Sequence, residues 1–129
     1  MVDFHVHSLL ERVINSRLKL SIVVMFYEDQ RMETTPTRLA ERCCHDIWSV
    51  RQALYEMAQD GILSMAQSVG GEPNYRFAPL PQYQEQVAEL VRSYDDPLKR
   101  ETLFQSLREI SLYGNTGSMW NMSFQYVAL

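Results

Sequence analysis

Residues 35–79 leave the backbone few choices. Thr35-Pro36 is a helix start: the Thr hydroxyl accepts from an otherwise orphaned amide, and proline suits the first helical position. Leu39, Ala40 and Cys43 then recur at helical spacing. His45-Asp46 interrupts them, and Asp46 caps a second helix. In that helix Ile47, Val50, Leu54 and Met57 fall at i, i+3, i+7 and i+10, the spacing of a buried stripe. Gly61 ends it in the left-handed conformation that glycine adopts without steric cost. Residues 62–69 and 75–78 have strand composition, and Gly70-Gly71-Glu72-Pro73-Asn74 between them is a turn. The expected order is helix, tight turn, helix, hairpin.

The flanks add helices. Ser8-Leu9-Leu10-Glu11 reads as a capping box opening a short helix to about Ile14. Asn15-Ser16 offers a break and a second cap. Over residues 17–29, Leu18, Ile22, Met25 and Phe26 make an apolar stripe widened by Val23 and Val24, and the helix can run on from the first. Residues 30–34 read as a polar connection. Beyond Pro79 and Pro81, residues 82–94 are amphipathic, with Val87, Leu90 and Val91 inward. Asp95-Asp96-Pro97 caps a last helix through Leu98, Leu103, Leu107 and Ile110, with Leu112 as a further candidate and Gly114 as its stop. In the final stretch Trp120, Met122, Phe124 and Tyr126 alternate with Asn121, Ser123 and Gln125, which is strand patterning, although Met119, Met122 and Tyr126 would also share a helical turn.

The expected fold is mainly α with a small β-hairpin wing: a winged helix–turn–helix core at 17–79 within a single domain 1–129. An N-terminal extension (1–16), C-terminal helices (80–114) and an apolar tail (115–129) complete the chain. A 129-residue chain is one domain by size. The longest apolar run, residues 22–27, is far short of the roughly 20 residues that span a bilayer. No signal-peptide pattern opens the chain, and its two cysteines are adjacent, so the expected address is cytoplasmic, without a membrane.

Charge bears on the partner. The formal net charge is −4, whereas phosphate recognition needs a basic face. Residues 12–79 hold eight basic and eight acidic side chains, so the core is neutral and the excess acid lies in the flanks.

The stretches Leu39-Ala40-Glu41-Arg42, Val50-Arg51-Gln52-Ala53-Leu54 and Gly61-Ile62-Leu63 resemble bacterial winged helix–turn–helix transcriptional regulators of the MarR/ArsR-like superfamily. The resemblance covers about residues 17–79. Ala40 stands ten residues before Val50, as the family pattern has it; Gly61 matches the glycine closing the recognition helix, and Tyr75-Arg76-Phe77 matches the returning wing strand. Tyr75-Arg76-Phe77-Ala78-Pro79 with two trailing helices looks like a poorly characterised subgroup whose helical appendage serves dimerisation. There are departures. The family usually places glycine where Cys44 stands and a small apolar residue where His45 stands. It also puts small polar residues where Ile47 and Trp48 open the recognition helix.

With the stripe of the second helix buried, Trp48, Gln52, Tyr55 and Gln59 face outward, with Arg51 beside Tyr55. Arg51 suits a guanine edge and Gln52 an adenine edge, while Ser49 can meet a phosphate. Trp48 and Tyr55 can touch a thymine methyl but suit a protein interface better. Arg76 on the wing, with Arg38 and Arg42, can bracket phosphates across a groove, or simply be solvated and paired with Glu41 or Glu72.

His5, His7 and the Cys43-Cys44-His45-Asp46 run lack the spacing of a zinc motif, so no metal and no cofactor is expected. No phosphate-cradling glycine loop and no nucleophile in a recognisable setting points to an enzyme. The expected role is a DNA-binding transcriptional regulator whose partner is duplex DNA. It would act as a homodimer through the N-terminal helix, the C-terminal helices and the tail, whose stripes exceed what a core of residues 17–79 covers. The alternative is a winged-helix module that binds protein instead of DNA.

Overall fold

The computed structural model describes residues 4–68 and 70–111. Among these residues the chain is mainly helical, with a small antiparallel sheet. In order it forms α1 (Phe4–Arg12), α2 (Arg17–Glu28), β1 (Glu33–Thr34), α3 (Pro36–Cys43), α4 (Ile47–Gln59), β2 (Leu63–Ala66), β3 (Asn74–Phe77), α5 (Pro81–Asp95) and α6 (Pro97–Glu109). No helix among them is long and apolar enough to cross a membrane. Val69, Leu112, Gly114 and the alternating stretch 120–126 lie outside the described residues.

Local chemistry sets the helix ends. Ser16, Thr35 and Asp46 each accept a backbone N–H three residues on, at the starts of α2, α3 and α4. Asp96 accepts the Leu98 amide at the start of α6. α4 closes with paired backbone bonds, Ile62 N–H to Met57 O at 2.9 Å and Gly61 N–H to Ala58 O at 3.3 Å. That geometry requires the left-handed turn that Gly61 supplies at φ +91. α3 closes in the same way, with His45 N–H to Ala40 O at 3.1 Å and Cys44 N–H to Glu41 O at 3.4 Å. Here the left-handed residue is Cys44, at φ 54, where the resemblance places a glycine.

Several expectations are corrected. α1 begins before Ser8, because Val6, Leu9, Leu10 and Val13 form one buried stripe that carries the helix through it; Ser8 is mid-helix and caps nothing. α1 and α2 are separate, broken at the Ser16 cap. The connection at 30–34 is not wholly irregular, since Glu33 and Thr34 pair with Arg76 and Tyr75. Leu98 is 82% exposed rather than inward, because it follows the proline at the outer start of α6.

The sheet order is β1-β3-β2, so β2 is an edge strand. Its register sets Met65 opposite Tyr75 and Leu63 opposite Phe77, all on one face, with Ser64 and Arg76 on the other. The inner face meets the helices, and the Tyr27 and Phe77 rings pack edge-on with centroids 6.1 Å apart. Leu20, Ile22, Phe26, Val50, Leu54, Met57 and Ile62 are wholly buried in one continuous core. The stripes of α1, α5 and α6 join the same core through Leu9, Leu10, Val87, Leu90, Leu103 and Leu107. A single chain therefore buries the helical stripes from which, together with the tail, a dimer surface was expected; the tail lies outside the described residues. Arg17, with its guanidinium 3.8 Å from the Phe104 ring centroid, ties α2 to α6.

Candidate functional site

α4 buries Val50, Ala53, Leu54 and Met57. Helical geometry then turns Trp48, Arg51, Gln52 and Tyr55 to the outside, at i, i+3, i+4 and i+7. Trp48 is 71% exposed and Tyr55 50%, unusual for side chains that lose so much by meeting water. The hairpin stands beside this face. Together they line an open groove of about 430 Å³, walled by Trp48, Arg51 and Tyr55 on one side and by Met65, Pro73 and Tyr75 on the other.

The groove is mainly apolar, and the polar groups on its α4 wall are already engaged. The Arg51 guanidinium lies 5.1 Å from the centre of the Trp48 ring, a cation–π arrangement that pre-sets both side chains. Gln52 donates to Glu56 at 2.9 Å, and Gln59 donates to the Tyr55 hydroxyl at 3.1 Å. The Tyr75 hydroxyl is pushed above its usual range by burial and by Tyr55, with Arg51 opposing.

Glu72, in the hairpin turn, reaches the N-terminus of α3. It accepts the Thr37 amide at 3.0 Å and also the Thr37 hydroxyl. These two bonds, hydroxyl first, hold the carboxyl below its ordinary range, and the charges of Arg51 and Arg38 lower it further. The acid thus occupies the positive end of α3, where an external anion would otherwise be favoured.

Behind the face, Lys19 is buried with its ammonium 2.6 Å from Glu56, tying α2 to α4. Asn15 accepts a further bond from it at 3.2 Å. Burial pushes the Glu56 carboxyl up, but hydrogen bonds from Lys19 and Gln52 and the Lys19 charge bring it below its usual value.

The structure therefore gathers Trp48, Arg51, Gln52 and Tyr55, with Arg38 near them around Glu72. It does not gather the rest. Ser49 lines a separate cavity on the α2 side with Lys19 and His45, and its amide serves the Asp46 cap. The Arg42 guanidinium donates to the Met32 sulfur at 3.1 Å. Arg76 lies on the outer face of the sheet, 3.8 Å from Glu33, its partner across the strands. Its expected partners, Glu41 and Glu72, are not the ones it meets, and the Tyr75 side of the pleat, not the Arg76 side, faces the groove. Sequence reasoning missed Glu72 as an anchor and Lys19 as a buried charge. It also missed Met65, although alternation from Leu63 carried that signal.

Among the described residues no three His, Cys, Asp or Glu side chains gather as a metal site would need. His7 stands 3.9 Å from Glu11 and His45 3.4 Å from Asp46. Cys43 is partly buried, its thiol pushed above the usual range by desolvation, and its sulfur lies 3.7 Å from that of Met25. The chain matches no protein-family model, no curated protein and no solved structure with which it was compared.

Proposed function

We propose that the chain is a DNA-binding transcriptional regulator of winged-helix type, in the manner of the MarR/ArsR-like proteins it resembles. The observation that carries the reading is the order helix–strand–helix–helix–strand–strand from α2 to β3. It combines with a sheet in which β1 joins the hairpin through β3. In this reading α3 and α4 are the helix–turn–helix, α4 enters the major groove, and the β2–β3 hairpin is the wing. Arg51 and Gln52 are the base-reading side chains, because they are exposed on the outer face of α4 and each can pair a base edge twice, Arg51 with two donors and Gln52 with one donor and one acceptor. Arg38 on α3 is the phosphate contact, and Arg42 joins it by turning away from the Met32 sulfur. Arg76 stands apart from them and contributes little.

A homodimer fits this role, since two recognition helices about 34 Å apart reach successive major grooves. The inner stripes of α1, α5 and α6 are used within one chain, so the dimer surface must be sought on their outer sides, where Leu98 is the most exposed large apolar residue described. Sedimentation of the wild-type chain and of Leu98→Glu tests this; a wild-type monomer at all concentrations would remove the dimer.

A second reading is favoured by the groove itself. Exposed Trp48 and Tyr55 beside Met65, with an acid among the nearest arginines, suit a protein partner better than a phosphate backbone. Salt dependence separates the two: duplex binding weakens steeply as salt rises, through counterion release, whereas an apolar interface does not.

A further inference from the structure

The groove between α4 and β2 leaves Trp48, Tyr55 and Met65 exposed, and the chain carries a segment of matching chemistry. Residues 112–129 contain no charged side chain, in a protein where 22% of residues are charged. Trp120, Met122, Phe124 and Tyr126 alternate there with small or amide residues. We infer that this segment docks in the groove of its own chain, placing Trp120 and Phe124 against Trp48, Tyr55 and Met65.

Three observations support this occupant over an external one. The groove is mainly apolar, and Arg51, the charged side chain that lines it, already faces the Trp48 ring and the Glu72 charge, so an uncharged aromatic segment matches it without bringing in a charge of its own. β2 is an edge strand whose outer side no described strand pairs. An extended segment added there puts every second side chain on the Met65 face, the face that lines the groove. Reach is sufficient: eighteen residues after Ser111 extend roughly 60 Å, against a radius of gyration of roughly 14 Å for a compact domain of this length. Being tethered, the segment also faces the groove at a high effective concentration.

Docking covers Trp48, Arg51 and Tyr55 together. Its regulatory meaning rests on the DNA reading, in which a docked tail holds the protein off its site; the docking itself does not.

The test uses the full chain and needs no DNA. The chain has two tryptophans, so Trp48→Phe leaves Trp120 as the reporter. Trp120 is expected to emit as a shielded indole and to resist acrylamide quenching. Adding Met65→Glu or Tyr55→Ala, both at exposed positions, is expected to raise quenching several-fold while circular dichroism stays unchanged. Freely quenched Trp120 in the Trp48→Phe chain overturns the inference. Shielding that survives both groove substitutions overturns it too, as does shielding lost on dilution, which assigns the groove to a second copy. A docked tail on a chain that binds no duplex leaves the inference standing and removes the DNA reading.

Discussion

The Glu72 carboxylate accepts the Thr37 amide at 3.0 Å across 35 residues of sequence, and so fastens the hairpin turn to the first turn of α3. The bond sets where the β2–β3 hairpin stands relative to α3 and α4. It is also a proton-linked tie. Glu72 titrates below its ordinary range in the folded chain, so its contribution is complete above the unfolded value of about 4.3 and is lost as pH falls through the lower folded value. Thermal unfolding followed from pH 7 downward should show a steeper loss of stability in the wild type than in Glu72→Gln. Parallel curves would mean that the anchor contributes nothing. Because Glu72 also offsets Arg38 and Arg51, Glu72→Gln should tighten any duplex binding and steepen its salt dependence by about one phosphate equivalent.

Lys19 and Glu56 make a different pair, because one partner is buried and the other is not: the Lys19 side chain is 7% exposed and that of Glu56 42%. Removing the acid leaves a buried cation with one hydrogen bond, to Asn15, and the more distant charge of Asp60. Removing the lysine leaves a carboxylate that can turn to water. Glu56→Ala should therefore cost about 2–3 kcal/mol and Lys19→Met about 1 kcal/mol or less, after allowing for solvent screening at Glu56. Chemical denaturation of both variants decides it; equal losses would show that Lys19 is not held as described.

Two turns after helices have opposite needs. Gly61 sits at φ +91, and a Cβ there would fall 2.5 Å from Leu80 Cδ1. Gly61→Ala should lose roughly 1–2 kcal/mol from backbone strain alone, with the Leu80 clash added. Cys44 holds the same kind of turn at φ 54 with a side chain that dislikes it. Cys44→Gly should be stabilising by up to about 1 kcal/mol, the relief of strain exceeding the added chain entropy. Midpoints of urea unfolding test both, and a loss of stability in Cys44→Gly would contradict the strain argument.

The parts legible in the sequence were those set by neighbours in the chain. The caps at Ser16, Thr35, Asp46 and Asp96 and the stop at Gly61 are local hydrogen-bond chemistry, and they stand where the residues indicated. The outward set Trp48, Arg51, Gln52 and Tyr55 followed from helical period alone. What was not legible depended on distant partners. Glu33-Thr34 is a strand only because β3 lies beside it. Arg76 faces away from the groove because the pleat alternates and Tyr75 takes the inner side. Glu72 anchors α3, and Lys19 is buried, through bonds 35 and 37 residues long, for which no spacing rule exists.

The proposed reading of duplex DNA by the outer face of α4 is decided by a salt titration. Binding to random-sequence duplex is measured from about 50 mM to 200 mM salt for the wild-type chain and for a Trp120→Ser/Phe124→Ser chain whose groove would be clear. Binding is expected at the lower salt and should fall linearly on a log–log plot. A loss of about tenfold is expected in Arg51→Ala, with little change in Arg76→Ala. No binding at about 50 mM salt by either the wild-type or the tail-substituted chain would contradict the DNA reading.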